Sequence, residues 1–182
     1  MPPWVNLANL FTLLRLILVP FILRDIIAGL HFRALTLFFI AALTDVIDGA
    51  LARSASGTTQ AGAYLDPIAD KCLMSGVFLA LAAAGIVPWW FVALVFGRDL
   101  LILIGVLAVM GLTKVRKFPP SRWGKISTFV QIVTAICWMT RDAWPGPVLE
   151  AISSAMLWVC AVFTIASGLD YTWRGLHLIR AR

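Results

Sequence analysis

Residues 89–112 read WWFVALVFGRDLLILIGVLAVMGL, a stretch that is long and apolar enough to cross a lipid bilayer as a helix. A membrane-spanning helix needs about 20 mostly apolar residues. The rest of the chain is similar, since 61% of its 182 residues are hydrophobic and 13% are charged. Soluble domains normally carry about 25% charged residues, so this chain has too little polar surface to cover a water-soluble globule. The composition predicts an integral membrane protein.

The same length criterion predicts an all-α, polytopic membrane protein with six transmembrane helices, formed as a single domain over residues 1–182. An amphipathic N-terminal segment is predicted to lie at the membrane interface before the first span. The predicted interfacial segment covers residues 3–9, and the predicted spans cover residues 10–27, 34–52, 66–85, 89–112, 126–140 and 148–170.

Positive charge is distributed unevenly between the two sets of predicted loops. The chain has 15 Lys+Arg against 9 Asp+Glu, a net charge of +6. Because basic residues stay on the cytoplasmic side of a membrane protein, both termini are predicted to be cytoplasmic. The surplus is interpreted as contact with anionic lipid headgroups and not with nucleic acid, since no nucleic-acid motif accompanies it. One side carries Arg53, Lys114, Arg116, Lys117, Arg122, Lys125, Arg174, Arg180 and Arg182, and the other carries Arg24, Arg33 and Arg141.

Four aspartates lie at the predicted cytoplasmic ends of the second and third spans, within DVIDGALAR (45–53) and GAYLDPIAD (62–70). Asp45 and Asp48 are three residues apart, and such a pair shares one helical face. Asp66 and Asp70 are four residues apart, and the same holds for them. The short connection between the spans predicts that all four carboxylates converge.

Converging carboxylates repel one another strongly in a low-dielectric site, and divalent cations relieve that repulsion. Ligands that are all oxygen favour Mg²⁺, Mn²⁺ or Ca²⁺ over Zn²⁺, and four carboxylates predict a two-metal site of the kind used in phosphoryl displacement. The alternative interpretation makes these aspartates helix caps or salt-bridge partners. The nearby cations, Arg53 and Lys71, are too few to neutralise four acids.

Small and basic residues beside the aspartates fit a phosphate ligand. Gly49 and Gly62 remove side chains where a phosphate or nucleotide would approach the backbone. Arg53 follows Gly49 by about one helical turn and can bind a phosphate with two parallel hydrogen bonds. Pro67 is expected in the first turn of the third span, where a missing N–H costs little.

These residues resemble the signature of the CDP-alcohol phosphotransferase family, which reads D-x2-D-G-x2-A-R, then eight or nine residues, then G-x3-D-x3-D. All eight fixed positions of that signature are present in this chain. They are Asp45, Asp48, Gly49, Ala52, Arg53, Gly62, Asp66 and Asp70. The six-span layout is also similar to the family, so the resemblance covers nearly the whole chain.

The resemblance implies a homodimer of six-helix subunits in a bacterial-type inner (cytoplasmic) membrane, with the active site open to the cytoplasm. It implies that the four aspartates bind Mg²⁺ or Mn²⁺, two ions in all, and that Asp70 also acts as the general base. It implies that a further set of residues holds the CDP moiety of the donor. That set is Asn9, Thr12, Gly49, Ala52, Arg53, Thr59 and Gly62.

Flanking segments narrow the resemblance to one branch. The chain starts with Asn6-Leu-Ala-Asn9-Leu-Phe-Thr12-Leu-Leu-Arg15 followed by Pro20, in which Asn9, Thr12, Arg15 and Pro20 match N-x-x-T-x-x-R-x4-P. This start looks like that of bacterial phosphatidylglycerophosphate synthases and related cardiolipin synthases. The segments GKISTFVQ (124–131) and SGLDY (167–171) are also similar to these enzymes. The implied reaction transfers a phosphatidyl group from CDP-diacylglycerol to glycerol 3-phosphate. An Arg98-Asp99 pair, where many phosphatidylglycerophosphate synthases have Arg-Glu, leaves phosphatidylglycerol open as the acceptor.

A phosphorylated acceptor needs cations, and a basic cluster is predicted in the loop before the fifth span. Arg122 and Lys125, with Arg116, are predicted to bind the acceptor phosphate. The alternative for Arg116 and Lys117 is contact with anionic lipid.

Two other functions stay open at this point. A six-span protein with intramembrane acids can be a divalent-cation transporter, but transporters often show internal repeats and broken helices at the midplane, and neither is evident. Phosphatidylinositol-phosphate and phosphatidylserine synthases share the eight-position signature, and the flanking segments alone argue against them.

Overall fold

The computed structural model contains six α-helices in the part of the chain that it describes. It describes the backbone of residues 7–54, 60–112 and 121–180 and the side chains of residues 12–44, 69–111 and 121–178. The described part of the chain contains no strand, which confirms the all-α prediction. The helices are α1 Leu7–Ile27, α2 His31–Ser54, α3 Gln60–Ala83, α4 Trp89–Leu112, α5 Arg122–Ala143 and α6 Pro147–Arg180.

Helix boundaries follow the predicted spans closely at α4 and depart most at α3 and α6. Helix α3 begins at Gln60, six residues before the predicted start, so Pro67 lies inside the helix and the expectation of a first-turn proline was wrong. Helix α6 continues to Arg180, ten residues past the predicted end. An ion pair four residues apart, between Arg174 Nε and Asp170 Oδ1 at 3.1 Å, stabilises this extension.

The chain divides into two compact units, residues 1–86 with 142–144 and residues 87–141 with 145–182. In the first unit, α1 packs against both α2 and α3. Its buried apolar side chains include Ile22 and Ile26 of α1, Phe38 of α2, and Val77 and Phe78 of α3.

In the second unit, α4 packs against α6. Phe91, Val95 and Val109 of α4 and Leu157 and Cys160 of α6 are buried there. Burial of apolar side chains supplies the main favourable free energy of such packing.

Glycines end two of the helices in the first unit with the same hydrogen-bonding pattern. Gly29 has a φ of 71°, and Gly85 has a φ of 74°. After α1, the N–H of Gly29 donates to the carbonyl of Ile26 at 3.2 Å, and the N–H of Leu30 donates to that of Asp25 at 2.8 Å. This is a Schellman motif, which needs a residue that tolerates the left-handed conformation. The turn lets the chain reverse from α1 to α2 within a few residues.

Two described helices, Trp89–Gly111 and Pro147–Leu178, are long and apolar enough to cross a membrane. Large apolar side chains on α4 are open to the surroundings, since Leu100, Leu103, Ile104 and Leu107 are 56–61% exposed. Contiguous exposed apolar surface of this kind marks contact with lipid or another protein. The coarser prediction of a membrane protein fits both observations.

An ion pair with a buried carboxylate joins the end of α1 to the start of α2. Arg33 donates from Nε to Asp25 Oδ2 and from Nη2 to Asp25 Oδ1, both at 2.6 Å. Asp25 is 0% exposed, whereas the Arg33 side chain is 55% exposed. This bidentate geometry is the strong form of a charge-assisted hydrogen bond, and it satisfies a carboxylate that water does not reach.

The Asp25–Arg33 pair should therefore be a stability determinant. We expect Arg33→Ala to lower the midpoint of thermal unfolding in detergent by roughly 5 °C, because the buried carboxylate loses both hydrogen bonds. Arg24→Ala removes an exposed arginine from the same turn and serves as the control. Equal midpoints for the two variants would show that the pair contributes nothing.

Candidate active site

The backbone places the four signature aspartates on two helices that both pack against α1. Asp45 and Asp48 lie near the C-terminal end of α2, and Asp66 and Asp70 lie in the first half of α3. Helical spacing puts the members of each pair on one face, as predicted. The side chains of Asp45, Asp48 and Asp66 lie outside the described residues, so convergence of four carboxylates stays a prediction.

Asp70 is the signature aspartate whose side chain the structure describes. Its side chain is 50% exposed, and its Oδ1 accepts a charge-assisted hydrogen bond from Arg15 Nη1. The half-exposed carboxylate is thus held by α1 and is still reachable by a ligand.

Arg15 belongs to the site and was missed when candidate residues were chosen from the sequence. Its side chain is 0% exposed, and a buried charge is rare unless it is paired. Two signals were available in the sequence: a charge inside an apolar span, which is usually functional, and its fixed place in the N-terminal segment. Thr12, one turn earlier on α1, is also buried at 1% exposure.

The residues predicted to hold CDP are distributed over three helices. Asn9 and Thr12 lie on α1, Gly62 lies in the first turn of α3, and Thr59 falls outside the described residues. Thr12 is the one member of the set whose side chain is described. The remaining three, all on α2, are Gly49, Ala52 and Arg53.

The basic residues predicted to bind the acceptor phosphate lie on a helix where a loop was expected. Arg122 and Lys125 occupy the first turn of α5, and both are exposed; Arg116 lies outside the described residues. Ser121 caps this helix, because its Oγ accepts from the N–H of Gly124 at 2.9 Å. Capping by Ser at this position fixes where a helix begins, and that explains why the helix starts before residue 126.

Asp70 is the one predicted metal ligand among the described side chains. Among residues 12–44, 69–111 and 121–178, no group of three or more His, Cys, Asp or Glu side chains could hold a metal ion. Three of the four predicted ligands lie outside those ranges. The donor set, four carboxylates on two helices, nevertheless fits a hard divalent cation by its chemistry.

Known proteins that are similar to this chain belong to the family that the aspartate signature indicates. The model of the family described as CDP-alcohol phosphatidyltransferase matches residues 5–166, a range that contains all eight signature positions. A protein of Mycobacterium tuberculosis H37Rv named "Probable phosphatidylglycerophosphate synthase" is 36% identical over 179 residues, covering 94% of this chain and 82% of its own.

Two further relatives carry the name "CDP-diacylglycerol--glycerol-3-phosphate 3-phosphatidyltransferase". The protein of Bacillus subtilis 168 is 29% identical over 189 residues, which cover 94% of this chain and 97% of its own. The protein of Escherichia coli K12 is 34% identical over 173 residues, which cover 91% of this chain and 92% of its own. This chain is thus similar to these proteins along almost its full length.

A double-mutant cycle can measure how much the Arg15–Asp70 contact contributes to stability. We expect Arg15→Met and Asp70→Asn to show a coupling free energy of about 1–2 kcal/mol in SDS-driven unfolding, because one partner is buried and the other is half exposed. Arg24→Met with Asp70→Asn is the control cycle, and it should be additive. Additivity in both cycles would mean that the contact contributes no stability.

Proposed function

The chain belongs to the CDP-alcohol phosphatidyltransferase family, and from that premise we propose that it transfers a phosphatidyl group from CDP-diacylglycerol to glycerol 3-phosphate. The products are phosphatidylglycerophosphate and CMP, which makes the chain a transferase of phospholipid biosynthesis. The observation that carries this proposal is similarity over at least 91% of the chain to proteins that bear the name of this reaction.

Divalent metal is part of the proposal. Asp45, Asp48, Asp66 and Asp70 would hold Mg²⁺ or Mn²⁺, two ions in all, because carboxylate oxygens are the ligands that these cations prefer. When bound, the ions offset negative charge that develops on the pyrophosphate as CMP leaves.

The proposed chemistry is one displacement at phosphorus. Asp70 accepts the proton of an acceptor hydroxyl, whose oxygen forms a bond to the phosphorus on the lipid side of the pyrophosphate. The bond between that phosphorus and the bridging oxygen breaks, and the oxygen leaves with CMP. Arg53 would pair with a phosphate of the donor, and the absence of a side chain at Gly49 leaves room for it.

Positioning should supply most of the rate, because a carboxylate that binds metal is a weak base and phosphoryl transfer depends mainly on alignment and electrostatics. Arg15 supports this alignment, since its buried guanidinium fixes one oxygen of Asp70 against α1. The Asp70 side chain is half exposed, so the carboxylate can still be reached by an acceptor hydroxyl.

The acceptor phosphate needs its own cations. We propose Arg122 and Lys125, with Arg116, for this role. Support comes from the exposure of Arg122 and Lys125 on the first turn of α5, where a dianionic phosphate can reach both side chains, and from the strength of charge-assisted hydrogen bonds to phosphate.

The membrane arrangement is also a proposal: one domain with six spans, both termini and the active site at the cytoplasmic face of a bacterial inner membrane, and a homodimer. The exposed apolar side chains of α4 and the uneven loop charges support a multi-pass protein. Phosphatidylglycerol is the alternative acceptor, favoured by the Arg98-Asp99 pair.

CMP release by the purified protein tests the reaction. With CDP-diacylglycerol and Mg²⁺, we expect release with glycerol 3-phosphate and none with inositol 1-phosphate or serine. EDTA should stop release, and Asp70→Asn should slow it at least about 100-fold, the lower range for loss of a general base.

Release with phosphatidylglycerol in place of glycerol 3-phosphate would reassign the acceptor. No CMP release with any of these acceptors would contradict the proposal.

The proposed contact between Lys125 and the phosphate of glycerol 3-phosphate can be tested separately. Lys125→Gln should raise the KM for glycerol 3-phosphate at least about 10-fold, as expected for a lost charge-assisted hydrogen bond, with kcat changed less. Arg174→Gln removes an exposed cation from α6 and is the matched control. An unchanged KM in Lys125→Gln would remove Lys125 from the site.

A further inference from the structure

The hydroxyl of Tyr171, on α6, contacts the residue that starts α5. The N–H of Ser121 donates to Tyr171 Oη at 3.0 Å, and Ser121 is 1% exposed. A backbone N–H just before a helix has no partner within that helix. The phenol of Tyr171 therefore satisfies a buried donor and ties the start of α5 to α6.

Ser121 passes this constraint directly to Lys125. The carbonyl of Ser121 accepts from the N–H of Lys125 at 3.1 Å, and its Oγ accepts from the N–H of Gly124 at 2.9 Å. Two consecutive hydrogen bonds thus connect the Tyr171 hydroxyl to the backbone of Lys125. A shift of Ser121 changes where the first turn of α5 begins and how it presents its cations.

The ring of Tyr171 also lies close to the first turn of α5, at Gly124. A Cβ added to Gly124 would lie 2.9 Å from both Cε2 and Oη of Tyr171 and 3.3 Å from Ser121 Oγ. Real Cβ atoms essentially never come within 3.0 Å of another heavy atom. A side chain at position 124 would therefore force the end of the Tyr171 side chain to shift.

Arg98 also contacts the Tyr171 ring. Its Cζ lies 5.9 Å from the centroid of the Tyr171 ring, within the range of a cation–π contact. The guanidinium is fixed in turn, because Nη2 and Nε donate to Ser167 Oγ at 2.7 and 3.1 Å and Nη1 donates to Asp99 Oδ1 at 2.7 Å. Ser167 and Tyr171 are four residues apart on α6, so Arg98 braces one face of that helix.

From these contacts we propose that Tyr171 is a positioning residue, which sets the orientation of Lys125 towards the phosphate of the acceptor. This inference rests on the proposed function and extends it. The hydroxyl oxygen of Tyr171 accepts from the backbone N–H of Ser121, and this contact leads to the backbone of Lys125. The Arg98-Asp99 pair, which the reaction chemistry does not use, has the role of holding the Tyr171 ring.

Steady-state kinetics of CMP release tests the inference. Tyr171→Phe removes the hydroxyl and keeps the ring, and it should raise the KM for glycerol 3-phosphate about threefold to tenfold, the range that a lost neutral hydrogen bond gives. The kcat should stay within about twofold. Thr172→Val is the matched control, because it also removes one hydroxyl, which bonds to the carbonyl of Gly168 in its own helix. Gly124→Ala should also raise the KM for glycerol 3-phosphate, because the added Cβ would displace the Tyr171 ring.

The double variant Tyr171→Phe with Lys125→Gln separates positioning from a general loss of structure. If Tyr171 acts through Lys125, the double variant should have nearly the KM of Lys125→Gln, a non-additive result. Additive effects, or a kcat loss with unchanged KM, would overturn the inference. Wild-type protein that releases no CMP with glycerol 3-phosphate would overturn the proposed function and the inference together, whereas active wild type and an unchanged KM in Tyr171→Phe would overturn the inference alone.

Discussion

Every buried charge in the described part of this protein is paired, and much of the local structure follows from that constraint. A charge removed from water is costly unless an opposite charge and hydrogen bonds replace its hydration. Arg15 is paired with Asp70, Asp25 with Arg33, and Arg98 with Asp99. The first two pairs each join α1 to a neighbouring helix, and the third fixes a side chain within α4. These polar contacts therefore help to set the positions of helices that otherwise pack through apolar side chains.

The candidate site uses the same constraint for function. Helix α1 contributes Arg15 to the carboxylate of α3 and apolar side chains to the core against α2 and α3. One helix thereby packs the helices that carry the aspartates and orients the proposed base. In the second unit, the buried residues Arg98 and Ser167 and the half-buried Tyr171 form a polar group that reaches the start of α5. Both arrangements keep a side chain of proposed catalytic or binding function exposed while other residues support it from within, as in rigid functional sites.

Some features could be predicted from residue patterns and others could not. Both predicted ends of α4 agree with the structure, because its continuous apolar run follows Pro88 and precedes a basic segment that begins at Lys114. The ends of α3, α5 and α6 were not predicted, because polar residues can continue a helix when caps and ion pairs such as Asp170–Arg174 satisfy them. Arg122 and Lys125 were predicted in a loop, but the structure places them on α5. The cap by Ser121 begins this helix, and Ser121 also bonds to Tyr171, which lies 50 residues further along the chain.

The sequence by itself determined the all-helical membrane class, the eight-residue signature and the family, because hydropathy and motif spacing are local properties of the chain. Tertiary structure decided which residues support the chemistry. Arg15 meets Asp70 across 55 residues and Arg98 meets Ser167 across 69, and no local pattern records such pairings. They arise because helices bring buried charges from distant segments together, where each charge needs a partner once water is excluded.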